Sequence, residues 1–411
     1  MNYELFIAKR IIASKQDKNS ISKPIIKIAI TAIALGMIVM MVSVATSFGL
    51  QEKIKEKIAG FNGHITITSF GKNNSEITLQ PVSTIQDFYP DYSNFHGVKK
   101  IQAYATKAGI IRTATDFEGV LVKGVEKNYD WSFYQEYLEE GRIPEFGQEL
   151  SNEILISREI ANKMNLTLQD ACKVFFIKNE LDKLPWVRVL KIAGIYNTGF
   201  QEFDEKIMVA DLRHLQKMNR WEVDEVGGFE IMLNNFNGVD EKTKAIYQDT
   251  PSNLNTENII EKNPIIFEWM KLFDNNIYLI IGIMILVAGI NMITALLVLI
   301  IEKTKMIGLL KTLGCQHKSI VKIFLINASY IIAKGLFWGN LIGIGLLMIQ
   351  KKFEIIRLDP ESYYVSSVSV VLNPSLILLL NVGTLLLCLL MLLLPSAIIS
   401  KINPTSALKF D

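Results

Sequence analysis

Cysteine and histidine are scarce in this chain of 411 residues. The three cysteines, Cys172, Cys315 and Cys388, lie in a polar region, a short loop and an apolar run, so no pair of them predicts an intramolecular disulfide. The four histidines are scattered, no C-x-x-C pair occurs, and we expect surface histidines and no metal site. The large polar region must therefore be held together by a hydrophobic core instead of disulfides.

A phosphate-binding loop is also missing, because the motif G-x-x-x-x-G-K-[ST] occurs nowhere in the sequence. Gly71 and Lys72 are the nearest glycine-lysine pair, and they lack every other element of that motif. The chain is therefore not expected to bind or hydrolyse ATP in that way. The basic residues do not form one patch on a polar domain, which argues against nucleic acid as a partner.

Long runs of the sequence lack charge. Residues 28–50, 277–301 and 376–399 contain no charged residue, and the apolar run 320–349 is interrupted only by Lys322 and Lys334. At ~1.5 Å per residue, each run is long enough to cross a hydrocarbon core of ~30 Å. A cleaved signal peptide has an apolar region of only about 7 to 15 residues, so the first run is interpreted as a retained anchor. The sequence thus predicts four transmembrane helices.

Charge is unevenly distributed along the chain. Residues 51–275 carry 26 Lys+Arg and 34 Asp+Glu, a net charge of −8, whereas the remaining residues carry 17 and 7, a net charge of +10. Thirteen basic residues lie in 1–27, 303–322 and the C-terminal tail, against three in the loop 350–374. The positive-inside rule therefore predicts cytoplasmic termini and a cytoplasmic loop 302–319. Residues 1–23, basic and amphipathic, predict an interfacial helix.

The loop between the second and third apolar runs reads EKTKMIGLLKTLGCQHKS over residues 302–319. Its apolar residues Met306, Leu309, Leu310 and Leu313 recur at helical spacing among lysines. This pattern predicts a short amphipathic helix at the membrane surface with one face free for another molecule. The alternative is an ordinary basic loop.

The run E-K-T-K-M-I-G-L-L-K-T-L-G after the second span resembles the cytoplasmic coupling helix of FtsX-like permeases, the membrane subunits of a class of ABC transporters. The resemblance implies that this chain is a non-catalytic subunit. It also implies that a separate cytoplasmic ATPase, which binds ATP and Mg²⁺, docks on this loop. The residues expected to take part in coupling are Glu302, Lys305, Met306, Gly308, Leu309, Leu310, Lys311 and Gly314.

Residues 51–275 show the alternation and turn signals of a mixed domain. Strands are predicted at 64–70, 98–112, 119–125, 153–157, 173–177, 187–196 and 228–233, helices at 83–95, 158–164 and 240–247, and a strand or linker at 258–266. Because β-α-β pieces occur at both ends of the region, we expect one lobe built from the two ends. A second, outer lobe is expected at about 113–224.

Residues 184–218, LPWVRVLKIAGIYNTGFQEFDEKIMVADLRHLQKM, resemble the outward domain shared by lipoprotein-releasing and macrolide-exporter permeases. In that domain a strand, a glycine turn and a Phe-Asp pair precede a helix, which here would start after Ala210 and Asp211. The tail KINPTSALKFD resembles the closing N-P-x-x-A-L of the same family. The family resemblance therefore covers both the apolar and the polar parts of the chain.

Residues 177–188 join two predicted strands at the place where lipoprotein-releasing permeases carry a protruding hairpin that receives a soluble carrier protein. The resemblance thus implies a carrier-binding hairpin. An exposed apolar tip would make a good anchor for such a partner. The alternative is a tight hairpin whose Trp186 packs inward. The residues of the predicted site are Lys183, Leu184, Pro185, Trp186 and Arg188.

Flexible and aromatic side chains in and before the first two spans suit contact with acyl chains. With the family resemblance, they imply a cargo cleft for membrane lipid between two such subunits. Ordinary helix packing is the alternative. The residues concerned are Met40, Met41, Val44, Phe48, Phe267, Met270 and Phe273.

The third span contains Gly335, Gly339 and Gly343, a G-x-x-x-G-x-x-x-G pattern that lets another helix approach closely. Packing within the chain is favoured over a dimer seam. Lys334 lies beside this stripe, and an unpaired lysine at mid-bilayer costs on the order of 3 kcal/mol. It is expected to face protein, water or a lipid headgroup, or to lie nearer an interface than counting implies.

The predicted architecture is an α-helical membrane domain of four transmembrane helices plus an inserted two-lobed α+β extracytoplasmic domain. Its segments are an amphipathic helix (1–23), spans at 24–50, 276–301, 320–349 and 375–399, an extracytoplasmic domain (51–275), a coupling loop (302–319), an extracytoplasmic loop (350–374) and a tail (400–411).

The expected function is that of an inner-membrane permease subunit that pairs with a second permease subunit and couples ATP hydrolysis to movement of its periplasmic domain. The best resemblance implies release of lipoproteins to a periplasmic carrier. The alternatives are a mechanotransmitting regulator of cell-wall hydrolases and an efflux permease of the macrolide-exporter type. The efflux type usually carries its ATPase in the same chain, and the hydrolase regulators usually have a smaller outward domain.

Overall fold

The computed structural model describes residues 3–13, 22–70, 77–78, 80–92, 95, 97–176 and 185–393. The chain forms two compact units. Unit 1 comprises Met1–Gln51, Trp269–Ile356 and Val368–Asp411, and unit 2 comprises Glu52–Glu268 and Arg357–Ser367. The sequence predicts 350–374 as a separate loop, whereas the structure assigns its central part, residues 357–367, to unit 2.

The helices of the described chain are α1 (Tyr3–Ala13), α2 (Ser22–Asn62), α3 (Ser132–Glu136), α4 (Arg158–Lys163), α5 (Gln201–Asp204), α6 (Leu212–Asn219), α7 (Val239–Asp249), α8 (Ile259–Lys262), α9 (Pro264–Glu302), α10 (Thr304–Thr312), α11 (His317–Phe353), α12 (Pro360–Tyr363) and α13 (Pro374–Met391). Among the described residues, four helices are long and apolar enough to cross a membrane: Pro24–Asn62, Pro264–Glu302, His317–Phe353 and Pro374–Met391. The prediction of four candidate spans is therefore confirmed.

The first candidate span is longer than the charge-free run that predicts it. Helix α2 continues through Gln51–Asn62, because Ile54 and Ile58 keep the helical spacing and are both buried. At the other end of the chain, α13 is described only to Met391, and the predicted tail 400–411 lies outside the described residues.

The glycine stripe of α11 packs against α2 of the same chain. A Cβ at Gly335 would lie 2.7 Å from Cβ of Ile33, and one at Gly339 would lie 2.7 Å from Cβ of Met37. At Gly343 the nearest atom is Sδ of Met41 at 3.1 Å. The stripe therefore allows close helix approach within unit 1, and this face of α11 is already covered.

A pair of asparagines that belongs to no predicted site joins α11 to α13. Nδ2 of Asn340 donates to Oδ1 of Asn381 at 2.7 Å, and Nδ2 of Asn381 donates back at 3.0 Å. Each amide also donates to the carbonyl four residues earlier in its own helix. Such interhelical amide bonds satisfy polar groups that would otherwise be costly in an apolar environment. The sequence signal is asparagine within apolar runs, Asn327 and Asn340 in the third and Asn381 in the fourth, and it does not show which of them pair.

Unit 2 is built on one ten-stranded sheet. The strands are β1 (Ile65–Ser69), β2 (Val82–Ser83), β3 (Val98–Arg112), β4 (Phe117–Val125), β5 (Leu138–Gly141), β6 (Glu153–Ser157), β7 (Ala171–Phe176), β8 (Trp186–Tyr196), β9 (Ile207–Asp211), β10 (Glu225–Val226), β11 (Gly228–Leu233) and β12 (Leu254–Asn258). The order is β12-β1-β11-β3-β4-β9-β6-β8-β5, and β7 pairs with both β3 and β8. Strands β3, β4, β9, β6, β8 and β7 thus form a closed ring of hydrogen-bonded neighbours. The small strands β2 and β10 pair separately.

Strand β3, which ends at the lobe boundary expected at residue 113, serves both of the expected lobes. Strand β3 is 15 residues long, and its first part, Val98–Tyr104, pairs with β11. Its second part, Tyr104–Arg112, pairs with β4 and closes the ring through β7. Because one strand serves both regions, the two predicted lobes share a single sheet. The coarser prediction, a mixed α/β domain, is confirmed.

Two local predictions in unit 2 are wrong. Residues 83–95 are not helical where described, because Ser83 bonds the amide of Ile85 through its side chain and Pro90 lacks an amide proton. Residues 258–266, predicted as a strand or linker, contain the helix α8 and the start of the helix α9. Asn258 and Glu261 form a capping box that starts α8, and Pro264 then starts α9.

A buried ion pair lies at the end of α2 within unit 2. Nζ of Lys123 is 2.7 Å from Oε1 of Glu230, and both side chains are 3% exposed. The same ammonium donates to the carbonyl of Phe61 at 2.6 Å, one residue before α2 ends. The lysine thus satisfies a helix C-terminal carbonyl and a buried carboxylate together, which offsets part of the cost of burying both charges.

The expectation that the histidines are surface residues is wrong for two of them. His214 is buried, and its Nε2 lies 2.9 Å from the carbonyl of Ser151. His64 is half-buried just after α2, and its Nδ1 accepts the amide proton of Leu233 at 3.1 Å. Both imidazole rings therefore form hydrogen bonds with the backbone of unit 2 and are part of its packed interior.

We predict that His64 makes unit 2 less stable in acid. Burial, with Lys242 and Lys99 nearby, lowers the pKa of His64 to about 4, from the ordinary 6.5. Neutral His64 contributes its full stabilisation of the folded state above pH ~6.5, the ordinary pKa. That stabilisation is lost as the pH falls from ~6.5 through the lower pKa of the folded state. Going from pH 7 to pH 5 should cost about 2 kcal/mol at this residue. The measurement is denaturant unfolding of the detergent-solubilised chain at the two pH values.

The matched variants for this prediction are His64→Asn, which keeps an acceptor near Nδ1 but does not titrate, and His317→Asn on an exposed residue of unit 1. His64→Asn should lose less stability in acid than the natural chain, and His317→Asn should behave like the natural chain. Equal acid losses in all three proteins would show that His64 does not carry the effect.

Candidate functional site

The predicted coupling loop contains a helix that almost continues α9. Only Lys303 separates α9 from α10, and the amide of Ile307 donates to its carbonyl at 2.9 Å. Oγ1 of Thr304 donates back to the carbonyls of Ile300 and Ile301. The junction thus interrupts the helical path at one residue, and its polar groups are satisfied locally.

Helix α10 ends in a Schellman motif at Gly314. The amide of Cys315 donates to the carbonyl of Leu310 at 2.9 Å, and the amide of Gly314 donates to that of Lys311 at 3.0 Å. Gly314 has φ of +84° and no heavy atom near the position of a Cβ, so its role is helix termination and not close approach. Gly308, by contrast, is buried within α10.

The structure divides the predicted apolar face of α10 into two sets. Ile307 is fully buried, and Met306 and Leu310 pack against the same core of unit 1. Leu309 and Leu313 are 53% and 76% exposed. They are four residues apart, with exposed Lys305 one turn before, and therefore form a stripe on one face. We call Lys305, Leu309 and Leu313 the outer stripe.

The charged residues of this segment have different surroundings. Nζ of Lys303 is 3.3 Å from Oε1 of Glu302, an ion pair at the end of α9. Lys305 is exposed, and Lys311 is half-buried in the last turn of α10. A basic residue in the last turn is favourable because the helix dipole places partial negative charge there. The segment therefore presents an apolar stripe beside basic groups.

The structure partly describes the predicted carrier-binding hairpin in unit 2. Strands β7 and β8 pair antiparallel, with Phe176 opposite Trp186. Pro185 is exposed, whereas Trp186 is half-buried against the core and lies under the guanidinium of Arg188, 5.9 Å from the ring centroid. Lys183 and Leu184 lie outside the described residues. Trp186 thus contributes to the domain and is not a freely exposed tip.

Most of the residues expected to line a cargo cleft are buried within their own unit of this chain. Met40, Met41 and Val44 are buried in unit 1, because α2 turns this face toward the other helices. Met270 is buried in unit 1 as well, and Phe267 is buried in unit 2, stacked on Phe236 with centroids 6.1 Å apart.

Two of the predicted cleft residues keep accessible surface in unit 1. Phe48 is 38% exposed, and Phe273 is half-buried. These aromatic side chains therefore remain available to another molecule.

Lys334 faces away from the core of unit 1. Its Nζ lies 4.8 Å from the ring centroid of Tyr330, one helical turn earlier. This cation–π contact gives the ammonium a partner that an apolar helix surface otherwise lacks. The neighbouring Phe337 and Trp338 are also exposed.

Within the described part of the chain, no group of His, Cys, Asp and Glu residues could hold a metal ion. Cys172 and Cys388 are buried and Cys315 is partly exposed, and all three are free thiols. Burial raises the pKa of the Cys172 thiol to about 12, which makes it unreactive at neutral pH.

Four candidate spans, a short helix with an exposed apolar stripe between the second and third, and a large inserted domain define a multi-pass membrane protein. The model of the FtsX-like permease C-terminal domain matches residues 278–404, and that of the MacB-like periplasmic core domain matches residues 28–245, more than half of the chain. The chain belongs to the family of FtsX-like permeases with a MacB-like periplasmic core domain.

Curated relatives match almost the whole chain at low identity. The lipoprotein-releasing system transmembrane protein LolC of Xylella fastidiosa is 19% identical over 400 residues, 93% of each chain. The corresponding protein LolE of Haemophilus influenzae is 23% identical over 425 residues, 99% of each chain. Among solved structures, the periplasmic region of MacB from Actinobacillus actinomycetemcomitans matches 52% of this chain and 95% of its own, with 14% identity and a TM-score of 0.33.

Proposed function

We propose that this chain is the permease subunit of an ABC transporter that releases lipoproteins from the inner membrane to a periplasmic carrier. The observation that carries the proposal is the outer stripe of α10, an exposed apolar and basic surface on a short helix between the second and third candidate spans. The family assignment supports it, as do relatives named for lipoprotein release that match the chain over nearly its full length.

In this proposal a separate cytoplasmic ATPase docks on α10. Leu309 and Leu313 enter an apolar groove of that subunit, and Lys305, Lys311 and Glu302 make polar contacts around it. Such an arrangement, with apolar anchors surrounded by polar groups, is typical of tight protein interfaces. ATP and Mg²⁺ belong to the ATPase, because the present sequence has no phosphate-binding loop. Coupling requires that the ATPase contact α10 differently in its two nucleotide states.

The proposed transporter contains a second permease subunit, and cargo acyl chains enter between the two. From the present chain, Phe48 and Phe273 are the proposed acyl contacts, since both keep accessible surface. Unit 2 lies in the periplasm, where its outer region, about residues 113–224, moves as a lobe. The β7–β8 hairpin of that lobe presents Pro185 to a soluble carrier.

Reconstitution tests the proposal. The chain, its ATPase and a second permease subunit are placed in proteoliposomes that contain a triacylated lipoprotein, and a soluble periplasmic carrier is added. We expect ATP hydrolysis only when the ATPase is present, and ATP-dependent transfer of lipoprotein to the soluble fraction. Omitting the carrier is the control and should abolish transfer. ATP hydrolysis that responds to a cell-wall hydrolase, without lipoprotein transfer, would instead identify a signal transmitter.

A further inference from the structure

The segment Gly199–Asp204, GFQEFD, contains the Phe-Asp pair of the family resemblance, and the proposed function does not use it. It joins β8 to β9 and contains the short helix α5. Phe200 and Phe203 are both buried although they belong to a connecting segment. Connecting segments usually lie on the surface, so the burial of two large aromatic rings indicates that this one is packed against other parts of unit 2.

A buried lysine connects this segment to two others within unit 2. Lys57, in the last part of α2, is 3% exposed. Its Nζ donates to the carbonyl of Thr198 at 2.5 Å and to the carbonyl of Tyr364 at 3.1 Å. Thr198 immediately precedes the Gly199–Asp204 segment, and Tyr364 belongs to the loop 357–367. One ammonium group therefore holds three separate stretches of the chain.

The carboxylate of Asp204 fixes the position of Thr198, one of the two residues that Lys57 contacts. Its two oxygens accept from the amide of Thr198 at 3.0 Å and from the hydroxyl of Thr198 at 2.8 Å. Burial raises the pKa of Asp204 to about 6, while the bonds from Thr198 and the charge of Lys57 favour its ionised form. Asp204 thus supplies negative charge near the ammonium and orients the Thr198 carbonyl.

A row of aromatic rings makes the same connection. Phe61 of α2 stacks on Phe203 with centroids 4.7 Å apart, and Phe203 contacts Phe200 at 5.0 Å. Phe200 stacks on Tyr364 at 4.8 Å. Aromatic contacts at these distances add stabilisation beyond the area they bury. The end of α2 is therefore linked to the loop 357–367 through packed rings as well as through Lys57.

The backbone at Tyr364 depends on these contacts. Its φ is +60°, a conformation that residues other than glycine seldom adopt. Strained conformations of this kind persist when surrounding contacts determine them. Here the ring is held by Phe200 and the carbonyl by Lys57.

We propose that Lys57, together with Phe200 and Phe203, fastens the loop 357–367 to the end of α2, so that this loop moves with unit 2. The chain passes between the two units four times, after Gln51, Glu268, Ile356 and Ser367. If the loop is held to α2, movement of any of the four connecting segments, including those that follow α11 and precede α13, is transmitted to unit 2. Lys57 is then a positioning residue for coupling, a role that rests on the proposed transport function.

Burial energetics favour this role over simple stabilisation. The two hydrogen-bond acceptors of Lys57 are neutral carbonyl oxygens, and the carboxylate of Asp204, which attracts the ammonium, is itself bonded to Thr198. A buried ammonium in these surroundings is still expensive compared with an apolar side chain. Methionine has a stem of similar length and no charge. Lys57→Met should therefore leave unit 2 folded while removing the bonds that join the three segments.

Hydrogen exchange on the full chain with its ATPase tests the fastening. In Lys57→Met, amides within 357–367, such as those of Leu358 and Tyr364, should exchange at least tenfold faster, whereas those of β1 should be unchanged. Lipoprotein transfer in proteoliposomes should fall at least fivefold while ATP hydrolysis continues. The matched control is Lys53→Met, one turn earlier on α2, where the lysine makes surface ion pairs with Glu56 and Glu136. It should resemble the natural chain in both measurements.

A disulfide provides a rescue that depends only on holding the loop. A Cβ built at Gly199 lies 3.9 Å from Cβ of Pro360, within the range for a disulfide. In Lys57→Met carrying Gly199→Cys, Pro360→Cys and Cys315→Ser, oxidation should restore slow exchange and transfer, and reduction should remove both. The strain of a cysteine at Gly199, where φ is +65°, is the same in both redox states and cancels in the comparison.

The outcomes separate the two proposals. Unchanged exchange in Lys57→Met and in a second variant, Phe200→Leu, would overturn the fastening. Faster exchange with normal transfer, or no rescue in the oxidised protein, would overturn the positioning role. Absence of ATP-dependent transfer in the natural chain would reject the proposed transport function, and the exchange measurement would still decide whether Lys57 holds the loop.

Discussion

Leu309→Asp should abolish stable binding of the ATPase while both units stay folded. Leu309 is 53% exposed on α10, so an aspartate there is solvated in the free chain and costs little stability. In a complex, the same carboxylate would be buried without a partner in an apolar groove. Losing an anchor of this kind costs about 2 kcal/mol or more, at least a 30-fold weaker affinity. Titration of purified ATPase onto the chain in nanodiscs measures the change.

Three variants define the docking face. Leu313→Asp, on the same stripe, should weaken binding to a similar extent. Val223→Asp, at a residue of unit 2 that is 92% exposed, is the matched control and should bind normally. Leu310→Asp should lower the stability of unit 1 itself, because Leu310 packs against the core. Normal ATPase affinity in both Leu309→Asp and Leu313→Asp would exclude the outer stripe as the docking surface.

Gly339→Leu should strongly destabilise unit 1. A Cβ at this position would lie 2.7 Å from Cβ of Met37 and 2.9 Å from the carbonyl oxygen of Ala34. Neither atom is the end of a flexible side chain, so α11 and α2 would have to separate, at a cost of about 3 kcal/mol or more. The measurement is unfolding of the detergent-solubilised chain, together with its yield in membranes. Met37→Ala should not rescue the variant, because the Cβ of residue 37 and the backbone remain.

The same helix supplies graded controls. Gly345 has no heavy atom within 4 Å of the position of a Cβ, so Gly345→Leu should be close to neutral. Gly343→Ala should be mild, since the nearest atom there is the mobile Sδ of Met41. Equal losses at Gly339 and Gly345 would mean that helix propensity, and not packing against α2, explains the effect.

Helix α10 shows that sequence periodicity predicts the presence of a helix better than it predicts which of the helix's residues are buried. Lysines and leucines at helical spacing predict a helix in 302–319, and α10 occupies Thr304–Thr312. The spacing alone makes Met306, Leu309, Leu310 and Leu313 equivalent. Which of them is exposed depends on the residues of other helices that pack against α10, and the local sequence contains no information on those contacts.

The sequence by itself determined that the chain has four long apolar segments, a mixed inserted domain and the motifs of its family, because hydropathy, alternation and short motifs are properties of neighbouring residues. The tertiary structure decided that β3 serves both halves of the sheet and that residues 357–367 belong to unit 2. It also decided that Lys57 meets Thr198 and Tyr364. The pairing of β3 with β11 and the two bonds of Lys57 join residues more than a hundred positions apart, and only the folded chain brings them together.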